Sequence, residues 1–77
     1  MKFYFTYGTS KSFPFVGGWT EVIADSWDEA CEKFSNIHPL TPEGFINCAG
    51  IYMEGLFKIT GMEVEGNINA FCQEVIA

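Results

Sequence analysis

The residues of this chain that could bind a metal or act as nucleophile and base are three cysteines and a single histidine. Cys31, Cys48 and Cys72 are separated by 17 and 24 residues, and His38 lies between the first two. Structural zinc sites present closely spaced cysteine pairs of the C-x-x-C kind, and the chain contains none. Cys31 instead falls among apolar residues at helical spacing, where a free cysteine usually serves as a small buried hydrophobe. We therefore expect no metal and no cofactor.

A cysteine–histidine catalytic pair is the other chemistry that these residues would support. His38 would have to approach Cys48 or Cys72, with a third group such as Asn47 to orient the imidazole. The spacing does not demand that arrangement, because a histidine at a helix end can instead bond the last helical carbonyl groups. We expect a protein that is not an enzyme, and keep a cysteine-dependent enzyme as the weakest alternative.

The segment from Gly8 to Ser12, G-T-S-K-S, contains the lysine–serine pair of a phosphate-binding loop. That loop requires G-x-x-x-x-G-K-[ST], but Phe5 and Ser10 occupy the two glycine positions. The net charge is −6 and the chain has no arginine, whereas nucleic-acid binding favours a basic surface and bidentate guanidinium groups. We expect no direct contact with DNA or RNA. An acidic surface suits a basic protein partner or solubility alone.

The elements that must position these residues begin with a helix from Ser26 to Ile37. Ser26 and Glu29 form a capping box at its start, and Pro39 follows its end. One stripe of the helix is apolar at the spacing of successive helical turns, and its members are Trp27, Ala30, Cys31, Phe34 and Ile37. The helix is therefore a scaffold that packs on a sheet.

The sheet is predicted from short runs of β-forming residues. These runs alternate apolar and polar residues or are nearly continuously apolar, and they span residues 2–7, 19–24, 48–53 and 71–76. In the first run we expect one side to be buried. In the second run we expect Val22 to face the helix and Trp19 to lie on the outer face. Residues 54–60 fit a short helix closed by Gly61, although Phe57 and Ile59 also alternate as in a strand.

Together these elements predict one compact α+β domain over residues 1–77. Its sheet has three to four strands and is mainly antiparallel, with helix 26–37 packed on one face and a second short helix near 54–60. A sheet covered by one helix cannot bury all the aromatic side chains, which are 17% of the residues. Exposed aromatic residues often mark interfaces. The candidate residues for an interface, a homodimer included, or for a planar-ligand pocket are Tyr4, Phe13, Phe15, Trp19 and Tyr52. For residues 13–16, capping one end of the core is the alternative role.

In order, the chain contains K-F-Y-F-T-Y-G-T-S-K-S-F-P-F-V-G-G-W, A-D-S-W-D-E-A, I-N-C-A and C-Q-E-V-I. It resembles a set of very small open reading frames found in phages and prophages of Firmicutes. The members of this set begin with an aromatic strand, which is followed by the motif F-P-[FY]-x-x-G-[WY]. A helix that starts with A-[DE]-S-x-x-E-A comes next, and then an N-C-A segment and a final strand similar to C-H-E-V-I. This chain has Gln73 where a histidine is common, which counts against a catalytic or metal role there. It also has Met53 to Gly55 where a more acidic, helical run is usual.

The resemblance implies an accessory protein that acts in the cytoplasm of an infected or lysogenic bacterium. Many such proteins bind and inhibit a host protein of a defence system, as anti-CRISPR proteins do, and a host protein is the expected partner. The alternative is a sponge that sequesters a small molecule or signalling nucleotide between Phe13–Trp19 and the third strand, against which the missing arginine counts. No apolar stretch approaches the roughly 18 residues that cross a bilayer, so we expect no membrane contact. An odd number of cysteines argues against a secreted disulfide framework.

Overall fold

The structure, a computed structural model, describes residues 1–77 and contains one mixed four-stranded sheet. The strands are β1 (Lys2–Thr6), β2 (Trp19–Ile23), β3 (Gly50–Met53) and β4 (Cys72–Ile76), and their order in the sheet is β3-β1-β2-β4. β1 pairs antiparallel with both β2 and β3, whereas β4 pairs parallel with β2. The sheet is therefore mainly antiparallel, as predicted, with one parallel strand at its edge.

β1 is the central strand because its side chains can be buried on both faces. Phe3, Phe5 and Tyr7 point to one face and form its aromatic core together with Val22. Tyr4 points to the opposite face and is 3% exposed. The expectation that only one side of this strand is buried is therefore wrong, since a second layer of helix covers Tyr4.

The first face is covered by helix α1 (Trp27–Ile37). The Ser26 hydroxyl accepts a hydrogen bond from the Glu29 amide at 3.1 Å, so the predicted cap is present. Phe34 is fully buried and stacks on Phe5 with ring centroids 4.4 Å apart. Trp27, at the start of the apolar stripe, is 44% exposed and makes an edge contact with Phe3. The small sheet thus buries the middle of the stripe and leaves its ends at the surface.

The second face is covered by α2 (Glu54–Thr60), which is followed by the single turn α3 (Met62–Glu65). This confirms the predicted short helix. Phe57 of α2 is fully buried and stacks almost parallel on Tyr4, with centroids 4.1 Å apart. The edge of Trp19 packs against the same ring at 4.9 Å. The sheet therefore lies between helices. None of the three helices combines the length and apolar character needed to cross a membrane.

The parallel strand β4 can pair with β2 because the Gly17–Gly18 pair lets the backbone before β2 come close to the backbone before β4. Both glycines have positive φ, and a Cβ at Gly18 would lie 2.2 Å from the carbonyl oxygen of Phe71. The amide of Gly18 donates to the Asn67 carbonyl at 2.9 Å, and the Asn67 side chain donates to the Tyr7 carbonyl at 3.1 Å. Any side chain at position 18 would push the β4 segment away from β2.

We predict that Phe57→Ala destabilises the domain by about 3–5 kcal/mol, because it removes the only fully buried side chain of α2. Urea unfolding followed by far-UV circular dichroism measures the change. As a control on the same helix, Ile59→Ala should alter stability by less than about 0.5 kcal/mol, since Ile59 is 80% exposed. Equal effects of the two substitutions would show that α2 is not held on the sheet by Phe57.

Candidate functional site

The five aromatic residues predicted to form a binding surface are divided between the two faces of the sheet. Tyr4 and Trp19 lie under α2 with Tyr52 packed beside them. Phe13 and Phe15 lie half-buried against the α1-side core, where Phe15 contacts the ring of Tyr7 at 5.4 Å. The structure therefore brings the first three together and separates them from the other two. Residues 13 and 15 cap the core, the alternative role considered for them.

The α2 side of the sheet carries an open groove, because α2 packs mainly over β1 and β3. We call it the acidic groove, and its volume is about 330 Å³. Tyr4 and Trp19 line it together with charged and apolar residues from the sheet, α2 and α3, namely Lys2, Glu21, Glu54, Lys58, Glu63, Cys72 and Val75. Two of the predicted binding residues thus line one cavity, although each contributes only a small exposed area.

The electrostatics of the acidic groove are set by its carboxylates. Glu21 and Glu54 form ion pairs with Lys2 and Lys58, each with a nitrogen–oxygen distance of 3.9 Å. Glu63 forms no ion pair, so the lining carries one more negative than positive charge. Burial raises the pKa of Tyr4, and the negative charges of Glu21, Glu54 and Glu63 raise it further. The three carboxylates therefore lie close enough to Tyr4 to disfavour its charged phenolate form.

A chain of polar side chains lies on the opposite face. The Tyr7 hydroxyl bonds with the Thr20 hydroxyl at 2.7 Å, Thr20 donates to Glu74 Oε1 at 3.0 Å, and the same oxygen contacts Nε2 of His38. His38 sits between aromatic rings, 5.0 Å from Phe34 and 6.0 Å from Phe15. Burial raises the pKa of Tyr7, the hydrogen bond with Thr20 lowers it, and the charge of Glu74 raises it. These hydrogen-bonded side chains connect the end of α1 to the edge strand β4.

Sequence reasoning missed Glu74 as the partner of His38. The expectation was that His38 would bond the last helical carbonyl groups, but its ring instead contacts Glu74, while its backbone amide donates to the Phe34 carbonyl at 2.8 Å. Glu74 lies opposite Thr20 because β4 pairs with β2. A carboxylate inside the last predicted strand was the available signal, and it could be interpreted only once the strand order was known.

The three cysteines are free thiols. Cys31 and Cys48 are half-buried, whereas Cys72 is exposed on β4 and its thiol donates to the Glu74 carbonyl at 3.3 Å. Burial raises the pKa of the Cys48 thiol to about 11, with a contribution from Cys31. None of the thiols bonds to His38, whose ring partner is Glu74. No group of three or more histidine, cysteine or acidic side chains is arranged to hold a metal ion.

A second, smaller cavity of about 180 Å³ lies at the start of β1, beside Met1, Phe3 and Met53, and shares Lys2 and Glu54 with the acidic groove. The predicted pocket between residues 13–19 and β3 corresponds to neither cavity. The reason is that Phe13 and Phe15 fold back onto the core and fill that space themselves. The acidic groove is the cavity that is lined by two of the predicted aromatic residues, Tyr4 and Trp19, together with five charged side chains.

Comparison with known proteins found no match: no protein-family model, no curated protein and no solved structure matches the chain. The resemblance to small phage and prophage reading frames therefore stays a prediction.

We predict that iodoacetamide at neutral pH alkylates one cysteine of the folded chain quickly, and that this cysteine is Cys72. A pKa of about 11 leaves roughly one part in ten thousand of Cys48 as thiolate at pH 7. Its alkylation should accelerate about tenfold per pH unit as the pH rises towards that value. Mass spectrometry of peptides from labelled protein measures both rates.

The matched control is Cys72→Ser, which should remove the fast alkylation, while urea should expose the remaining two thiols. If Cys48 is modified at neutral pH as fast as Cys72, the burial of its thiol described above is wrong, and a cysteine-dependent activity regains support.

Proposed function

We propose that this chain is a non-enzymatic protein that binds and inhibits a host protein. The observation that carries the proposal is the outer surface of the second helical layer. Leu56 and Ile59 lie three residues apart on α2 and share one side of it, with exposed fractions of 59% and 80%. Val64 on α3 is 83% exposed. We call these three residues the α2–α3 surface.

Exposed apolar side chains that lie together on one surface often mark a protein interaction site. The inward side of α2 is fully used, since Phe57 fills the core beneath it. The α2–α3 surface therefore adds little to the stability of the isolated chain, and its burial against another protein would contribute about 25 cal/mol per Å² of apolar area. Helical residues three apart are a common arrangement of anchors for a grooved partner.

The charge of the chain indicates the character of that partner. Ten acidic residues oppose four basic ones, and Glu63 and Glu65 flank Val64 directly in sequence. A negative surface accelerates association with a basic protein and disfavours acidic ones. We therefore propose a partner with an apolar patch bordered by lysine or arginine residues.

Inhibition inside a bacterium, as an anti-defence protein, follows from the resemblance to phage and prophage reading frames. A protein without catalytic groups acts by occupying its target, so inhibition would require one copy for each target molecule. The alternative proposal, sequestration of a signalling nucleotide, receives less support, because the carboxylates of the acidic groove oppose the binding of phosphate groups.

The test is capture from a bacterial host lysate at low salt by the tagged chain, with stoichiometry measured on stained gels. We expect one basic protein at a ratio near one to one, and we expect the double substitution Leu56→Ser and Ile59→Ser to abolish its capture. Size-exclusion chromatography of the isolated chain separates this result from self-association through the same surface.

The matched control is Phe45→Ser, because Phe45 is 69% exposed but lies in the connection between α1 and β3. It should leave capture unchanged. Recovery of no stoichiometric partner, or equal loss of capture in both variants, would contradict the proposal.

A further inference from the structure

Three apolar side chains meet where the connection between β1 and β2 contacts the segment before β4. They are Val16, Ile68 and Phe71, and each is about half exposed. A Cβ at Gly17 would lie 2.9 Å from the Cβ of Ile68, so Ile68 lies beside the residue that follows Val16. Phe71 borders the same place, since its carbonyl oxygen accepts a hydrogen bond from the Trp19 amide at 3.3 Å. We call Val16, Ile68 and Phe71 the junction surface.

The backbone at Ile68 is strained although its side chain stays half exposed. Asn67 and Ala70 exchange two backbone hydrogen bonds, of 2.8 and 3.0 Å, across a two-residue turn. Both central residues have positive φ, 50° at Ile68 and 60° at Asn69. Asparagine and glycine adopt this conformation readily, whereas a β-branched residue does so only at a cost in free energy. Burial within the isolated chain offsets little of that cost, and a partner that covered Ile68 would offset more.

The charge around the junction surface indicates which partner fits it. The two segments that form it, residues 8–20 and 66–73, contain none of the ten acidic residues of the chain, and Lys11 is their only charged residue. Such a surface offers no carboxylate to the basic host protein proposed above. Two copies of this chain, each with a net charge of −6, repel one another least where neither presents a carboxylate.

We propose that two copies of this chain form a dimer through the junction surface, with Ile68 and Phe71 of one copy packed against the same residues of the other. A two-fold axis matches an apolar patch to itself, so no complementary surface is needed elsewhere on the molecule. The α2–α3 surface lies on other elements and stays free in this dimer. The dimer therefore goes beyond the proposed function and would present two inhibitory surfaces.

The size of the junction surface predicts a weak dimer. Three half-exposed side chains are far fewer than the roughly 20–30 residues on each side of a standard stable interface. We therefore expect a Kd of about 0.1–1 mM. Salt screens the repulsion between two copies of charge −6, so the dimer should strengthen as the ionic strength rises. Capture of a basic host protein should instead weaken with salt.

Sedimentation equilibrium of the isolated chain, at concentrations on the order of 0.02–2 mM, measures this dimer. We expect the average mass to rise with concentration from that of one copy towards that of two. The Kd should fall about two- to fivefold between roughly 20 and 500 mM NaCl. A reductant is present throughout, so that no disulfide through the exposed Cys72 contributes to the mass.

Phe71→Ser should raise the Kd at least about tenfold, the effect expected when a central aromatic residue of an interface is removed. Phe45→Ser is the matched control, because it makes the same change at an exposed phenylalanine in the connection between α1 and β3. It should leave the Kd unchanged.

Ile68→Asn provides a second test that does not depend on Phe71, which also packs against the edge of the Trp19 ring. Asparagine accepts the positive φ of the turn, so the variant should keep the fold and raise the melting temperature of the dilute monomer by about 2–4 °C. It should also raise the Kd of the dimer about three- to tenfold. These opposite effects distinguish a contact with a second copy from a role in the fold.

The inference is overturned if the chain stays monomeric at the highest concentration, or if Phe45→Ser weakens the dimer as much as Phe71→Ser does. It is also overturned if Ile68→Asn leaves the Kd unchanged or lowers the melting temperature. A dimer that is lost in the Leu56→Ser and Ile59→Ser double variant would lie on the α2–α3 surface, which contradicts the inference as well. Capture of a host protein is measured separately, so the proposed function can stand or fall without the dimer.

Discussion

The structure depends on the burial of β1 on both of its faces. All five residues from Phe3 to Tyr7 are buried, and four of them are aromatic. A strand of this kind cannot lie at the edge of a sheet or on a solvated face without exposing several large rings. It requires a neighbour on each side and a helical layer above and below. β2 and β3 supply the neighbours, while α1 and α2 supply the layers.

The two helical layers differ in length, and this difference leaves part of one face of the sheet uncovered. α1 spans eleven residues and α2 only seven. The short helix covers Tyr4 and one side of Trp19 but leaves the β4 side of its face open, so the acidic groove is the uncovered remainder of the sheet. On the α1 side the sheet edge is closed by the polar chain that ends at His38. One face is thus closed by hydrogen bonds, and the other keeps an open groove.

The sequence was sufficient to predict the parts that are specified locally. The capping residues of α1, the alternation in β1 and the short helix at 54–60 depend on neighbours within a few positions, and all three are present. The parallel pairing of β4 with β2 was not predictable in this way, because strand periodicity does not reveal which strands become neighbours. Its determinants, Gly18 and Asn67, lie 49 residues apart.

The candidate site likewise depends on contacts between residues that are far apart in the sequence. Tyr4 and Trp19 were identified from their position on the face away from α1, which is correct, but the helix that buries most of each ring was not taken into account. Glu21, Glu54 and Glu63 come from three different elements and meet only after folding. The prediction that some aromatic side chains would stay exposed assumed that one helix covers the sheet. In the structure α2 covers the other face, so Tyr4 and Trp19 form a second buried cluster with Phe57.

Native-state hydrogen exchange of the β1 amides tests the two-sided burial of this strand most directly. The amides of Phe3 to Thr6 should exchange only through global unfolding, with an opening free energy equal to that from urea denaturation. The amides of the edge strand β4 should open at lower free energy. If the β1 amides exchange as readily as those of β4, the strand is not the centre of the fold, and the assignment of both helical layers to it is contradicted.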